Sequence, residues 1–325
     1  MKVQDHLFNT LKAVIPKQFK LADIIGEILQ LSPDAVYRRI RGDKELSLSE
    51  LYKLCNHFNL SLDAILHVNT NSMLTRYSSL NLDDFSNYYK YLDEFDNQLQ
   101  MMSSEENTEL FFTAEDIPIF HFLRFPELTY FKVYSWFQTM NNLKISYEEF
   151  VRDLDQEFLK AKYLSIFNKY IKIPSTEIWT ERTIDQLLFT LDYYYDIQCF
   201  DDPNVGLLIC SQISELIDNF NLWTDEKKKG LQGGKYDVYL SPLNLENSFM
   251  LLKSPNKSAC SLKLFTINSI VTSNEKFCKE TENWILNTIN KSSYLSGASA
   301  RERFKFFQST KNKVNNLIEK LQTGL

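Results

Sequence analysis

The sequence predicts a mainly α fold with a smaller α+β part: a five-helix N-terminal domain, then a large helical C-terminal domain holding a small β-sheet. Three observations predict it. Only eight glycines and eight prolines occur in 325 residues, which favours long helices over loop-rich architecture. Apolar residues recur at three- and four-residue spacing, bounded by capping residues, through residues 1–70. Period-two alternation is confined to a stretch near residues 236–267. With 44% hydrophobic and 24% charged residues the chain is of globular composition, and its length suits more than one domain because single cores stop growing near ~250 residues.

The N-terminal elements follow in order. Leu7, Leu11 and Val14 form the stripe of a first helix ending at Pro16. Leu21, Ile24, Ile25, Ile28 and Leu29 form that of a second, in which Gly26 lowers helix propensity by about 1 kcal/mol relative to Ala and so suggests a close contact. Ser32 can cap a third helix with Pro33 at its first position. Val36 and Ile40 face inward there, Arg39 lies nearer the buried side, and Asp34, Tyr37, Arg38 and Arg41 share the other face. Gly42 can close this helix in the left-handed conformation. Ser47 and Glu50 form a capping box opening a fourth helix, with Leu51, Leu54, Cys55 and Phe58 inward. Ser61 can cap a fifth, with Leu62, Ile65 and Leu66 inward.

The run IGEILQLSPDAVYRRIRGDKELSLSELYKLCNHFNLSLDAIL, residues 25–66, resembles the lambda-repressor and Cro-like, XRE-type helix-turn-helix regulators. Gly26, Ser32, Arg41 with Gly42, and the phrase Ser61, Leu62, Asp63, Ile65 occupy the positions that carry the likeness. Two positions depart from it: Gly26 replaces the usual Ala, and Pro33 stands where the family often has a base-reading Gln. The resemblance covers about a fifth of the chain and implies a lambda-repressor-like domain whose third helix enters the major groove of duplex DNA. The residues it points to are Lys20, Ser32, Asp34, Tyr37, Arg38, Arg41 and Lys44. Arg38 and Arg41 can grip a phosphate or a guanine edge in two parallel hydrogen bonds. Tyr37 can reach a phosphate or a thymine methyl, and Lys20 and Lys44 can contact the backbone. Asp34 would repel phosphate unless it accepts from a cytosine amine or orients Arg38 at i+4.

Residues 71–81, within a polar aperiodic stretch beginning at 68, read as a linker to a domain at 82–325. Phe85, Tyr88, Leu92, Phe95, Leu99 and Met102 then alternate at three and four residues, the seam of a helix that packs on its own domain or on a second subunit. The aromatic run between Thr108 and Met140 reads as core, with a ligand pocket as the alternative. Residues 146–223 read as helices. Tyr236, Val238 and Leu240 alternate as a strand, and 249–252 and 262–267 read as a hairpin about Ser254-Pro255-Asn256. Closing helices are expected at 275–289 and from Ser299, capped with Glu302.

Charge and motifs narrow the function. The net charge is -6, but residues 1–67 hold nine Lys and Arg against eight acids while the rest hold 27 against 34. A local cationic patch on an acidic protein fits docking on one polyanion without general stickiness. Five cysteines without CxxC spacing and four histidines without metal spacing imply no metal, no cofactor and a reducing compartment. No catalytic elbow or phosphate loop occurs, so no catalytic residues are assigned. Met1–Asp5 is too polar for a signal peptide, and no window is apolar enough to span a bilayer, so no membrane association and a cytoplasmic location are expected. The function implied is a sequence-specific transcriptional regulator that binds double-stranded DNA as a homodimer. Its C-terminal region would serve dimerisation or signal input, a small-molecule effector included. A protein-interaction adaptor and an enzyme with an unrecognised C-terminal site are the alternatives.

Overall fold

The computed structural model describes residues 3–15, 20–58, 60, 65, 73–78, 80, 84–104, 106–141, 144–255 and 257–323. They fall into two compact units, 1–74 and 75–325.

In the first unit α1 (Val3–Val14), α2 (Leu21–Leu29), α3 (Pro33–Ile40) and α4 (Leu48–His57) enclose a core of Leu7, Phe8, Leu11, Ile15, Ala22, Ile25, Leu29, Val36, Leu54, Cys55 and Ile65. Four helices are thus described where five are expected; Ser61, Leu62 and Leu66, on which the fifth rests, lie outside the described residues, and Ile65 is buried. Gly26 sits where a Cβ would come within 3.0 Å of the Leu31 carbonyl oxygen and 3.9 Å of Val36. The glycine therefore admits the turn between α2 and α3 more than helix α3 itself.

The second unit is a mixed sheet of eight strands in the order β1-β7-β6-β5-β2-β3-β4-β8. The strands are β1 (Arg76–Ser78), β2 (Glu109–Ala114), β3 (Ser175–Trp179), β4 (Tyr236–Leu240), β5 (Phe249–Lys253), β6 (Ser258–Lys263), β7 (Ser269–Thr272) and β8 (Ser293–Tyr294). Between them run α5 (Phe85–Ser104), α6 (Pro126–Asn141), α7 (Tyr147–Asp153), α8 (Gln156–Tyr170), α9 (Asp185–Asp196), α10 (Asn204–Glu226), α11 (Glu275–Ile289) and α12 (Ala300–Thr323). β2, β3 and β4 are parallel, and their crossovers supply α6 to α8 and then α9 and α10; the remaining pairings are antiparallel. The larger core joins these helices to one sheet face, and α11 covers the other over Phe111, Ile178, Leu251 and Cys260.

Several expectations need correction here. The sheet is not small. β2 and β3 arise inside stretches read as aromatic core and as helices, and β6 begins at Ser258, four residues before the expected second hairpin strand. The stretch 71–81 is not wholly a linker: β1 pairs antiparallel with β7, and buried Leu80 donates its N–H to Asn268 Oδ1 at 2.6 Å. Other expectations hold: of the two packings open to it, the α5 seam takes the one on its own unit. Tyr88, Leu92 and Leu99 are buried in the larger core, Tyr88 and Tyr163 share a 2.9 Å hydroxyl hydrogen bond, and Asp96 takes Lys169 at 2.7 Å and Ser165 at 3.0 Å from α8. That face is consumed within the chain. The aromatic run likewise forms core, with Phe120, Phe122, Phe131 and Tyr134 almost fully buried. No helix among the described residues is long and apolar enough to cross a membrane.

Candidate nucleic-acid interface

Helix α3 begins at Ser32, whose Oγ accepts the Ala35 N–H at 3.4 Å, with Pro33 at the first position. It ends at Arg41, and Gly42 follows at φ +80°, the left-handed geometry that glycine adopts without strain. The next helix opens with the full Ser47–Glu50 capping box.

Glu50 has a second role. Its Oε1 accepts from Arg39 NH2 at 2.6 Å, and Arg39 NH1 donates to the Ala35 carbonyl at 3.0 Å, so this arginine is only 4% exposed. Burial pushes the Glu50 carboxyl up, but the Arg39 and Ser47 hydrogen bonds outweigh it and hold it below the usual carboxylate range. Gln4 of α1 fixes the turn beyond α3: its amide donates to the carbonyls of Arg39 at 2.7 Å and Lys44 at 2.9 Å, and its Oε1 accepts the Leu46 N–H at 2.8 Å. One side chain thereby sets the approach of α3 to α4.

Asp34, Tyr37, Arg38, Arg41 and Lys44 are all exposed, and Tyr37 keeps 46% of its surface in solvent. Arg38 forms no side-chain hydrogen bond or ion pair among the described residues, so Asp34 does not orient it. Arg41 meets Asp43 at 3.0 Å. Both partners are about half exposed, and such a pair is worth about 0–1 kcal/mol, little hindrance to exchange for a phosphate. Lys20 is the exposed N-cap residue of α2 and lacks a side-chain capping bond. The Ser32 hydroxyl is occupied as a cap, which makes it a positioning group.

A second polar constellation, not expected from the sequence, lies in the core of the 75–325 unit. Glu177 on β3 accepts from His121 Nε2 at 3.0 Å, Tyr170 OH at 2.6 Å, Trp179 Nε1 at 2.8 Å and Tyr236 OH at 3.0 Å, and all five side chains are buried. Burial alone would raise its pKa, yet the charge of His121 and these donors hold it at about 2. Lys229 stands over the Tyr170 ring at 3.8 Å and donates to the Tyr170 carbonyl at 3.0 Å; burial depresses its ammonium to about 7. Four protein donors occupy both Glu177 oxygens, so the group is saturated and acts by joining a 3-10 turn (Ile119–His121), α8, β3 and β4. The signal that could have revealed it is the polar triplet Ser175-Thr176-Glu177 within a strand buried along its whole length.

No family model matches the chain, and neither a curated protein nor a solved structure matches it.

Proposed function

We propose that the chain is a helix-turn-helix DNA-binding regulator acting in the cytoplasm, with α3 in the major groove of a duplex. The supporting observation is the division of three neighbouring arginines. Arg39 is drawn inward to Glu50, while Arg38 and Arg41 stay on the solvent side with Tyr37 and Lys44. An arginine held inward fixes the helix's rotation, and the outward pair is then presented at a constant angle to a phosphate or a guanine edge. The XRE-type resemblance of residues 25–66 supports the same reading. The unit from residue 75 serves assembly as a homodimer, signal input, or both, and carries no catalytic step.

The experiment is selection of bound fragments from a random duplex library by the full chain, followed by footprinting. Recovery of one enriched motif with major-groove protection supports the reading, and recovery without enrichment contradicts it. One observation favours the adaptor alternative. Leu48 and Tyr52 are strongly exposed on α4, and Tyr52 borders an open groove of about 430 Å³ with Glu27, Ile28, Lys53, Asn56 and His57. A protein ligand there would leave the selection empty.

A further inference from the structure

We propose that Asp34 is the residue with which α3 reads a cytosine, an inference that rests on α3 as the recognition helix and names the base its first turn selects. In helix-turn-helix docking the N-terminal residues of the recognition helix meet the base edges. Ser32, Pro33, Asp34 and Ala35 stand at that end of α3. The Ser32 hydroxyl is engaged as the cap, accepting the Ala35 N–H at 3.4 Å, and the side chains of Pro33 and Ala35 carry no hydrogen-bonding group. Asp34 is exposed, and its carboxylate has no hydrogen bond or ion pair among the described residues. Base reading at this end of the helix therefore falls to Asp34.

The chemistry of a carboxylate decides the base. Ionised, it only accepts, so its partner must donate. The major groove offers two donors, the N4 amine of cytosine and the N6 amine of adenine, and adenine sets the acceptor N7 beside its amine. Guanine shows acceptors at O6 and N7, and thymine an acceptor and a methyl group. Cytosine is the base whose own edge holds a donor and no acceptor. Where no amine meets it, an unpaired carboxylate is repelled by the phosphates, so Asp34 also discourages docking on other sequences. A carboxylate in the first turn favours the helix dipole as well, but that effect is blind to DNA sequence.

The same chemistry states what a near-isosteric change does. Asparagine at this place would present an amide donor beside its oxygen, the pair that fits N7 and N6 of adenine. One substitution should thus move the preferred base from cytosine to adenine.

The experiment is selection from a random duplex library by the full chain and by its Asp34→Asn and Asp34→Ala variants at one salt concentration, with folding checked by circular dichroism. Wild type should enrich a motif containing a cytosine whose replacement by thymine weakens binding at least ~5-fold. Asp34→Asn should prefer adenine at that position and keep the rest of the motif. Asp34→Ala, a substitution to the best helix former, remains decisive should the asparagine variant misfold. It should bind all four bases there nearly alike, and should bind unrelated duplex more tightly because a charge facing the phosphates is gone. A wild-type motif that the folded variants leave unchanged, or variants that weaken every sequence alike, would overturn the proposal and leave the recognition helix standing. A selection without any enriched motif removes the DNA reading itself, and this proposal with it.

Discussion

Arg39 and Glu50 are joined at 2.6 Å across the turn between α3 and α4, and the same carboxylate caps α4 through the Ser47 N–H at 2.8 Å. One acidic residue thus fixes the rotation of α3 and the start of α4 together. Arg39→Ala should therefore destabilise the N-terminal unit by about 2 kcal/mol, the range for hydrogen bonds to charged groups. Arg38→Ala, on the exposed side, should stay within about 0.5 kcal/mol of wild type. Hydrogen exchange of α2 to α4 amides in the full chain measures both. Because the folded Glu50 pKa is lowered, this contribution is present above the ordinary carboxylate pKa and is lost as pH falls through the folded value. Equal protection in the two variants would contradict the division of roles.

Gly26→Ala tests the α2–α3 turn. Alanine gains about 1 kcal/mol of helix propensity over glycine, but its Cβ would stand 3.0 Å from the Leu31 carbonyl oxygen. The Leu31 N–H is itself bonded to the Gly26 carbonyl at 3.0 Å, which leaves this turn little room to shift. The substitution should lower stability by about 1 kcal/mol net, read from the same amides. A stabilised variant would show that the turn yields.

Glu177→Gln should destabilise the C-terminal unit by about 3 to 5 kcal/mol, because His121 is left buried without its carboxylate partner. The folded Glu177 pKa, about 2, lies below the unfolded value near 4.5. Its contribution is thus complete above the unfolded value and is lost as pH falls from there towards 2. Denaturant unfolding followed by tryptophan fluorescence reports this, since Trp179 donates to Glu177. An unchanged midpoint would remove the cluster from the stability of the sheet.

Lys229 titrates in the opposite sense. Its folded pKa is depressed to about 7 from 10.5, so between those values the unfolded chain binds the extra proton and stability rises with pH, by up to about 1.4 kcal/mol per pH unit. Below the folded value both states are protonated and the cost of burying the ammonium is constant. Against Lys229→Met, the wild type should gain relative stability as pH rises from about 7 to 10. Parallel pH profiles would contradict the burial of a charged ammonium.

Much of the N-terminal unit was legible in sequence because local chemistry specifies it. Ser32, Gly42 and the Ser47–Glu50 box act within three residues of where they stand, and the inward lean of Arg39 follows from helical spacing. The clamp made by Gln4 was not legible, since its partners lie 35 to 42 residues away and a glutamine carries no directional signal. β3 was missed for a related reason. Central parallel strands are usually recognised by continuous apolar runs, whereas β3 carries Ser175, Thr176 and Glu177, whose burial is made tolerable by donors from distant elements. The α5 seam was read correctly as amphipathic, but periodicity cannot say which surface an apolar face meets. Its partner is α8 of the same chain.

The most direct measurement is fluorescence anisotropy of the full chain on its selected duplex, at fixed salt, for wild type, Arg38→Ala and Arg41→Ala. The outward face of α3 predicts a loss of about 1 to 3 kcal/mol in binding for each variant that reads a base, with specificity relaxed at one position. A residue that contacts phosphate should instead weaken all sequences alike and lower the salt slope by about one. Circular dichroism should match wild type in both. If both variants bind the duplex with wild-type affinity and salt dependence while remaining folded, α3 is not the recognition helix.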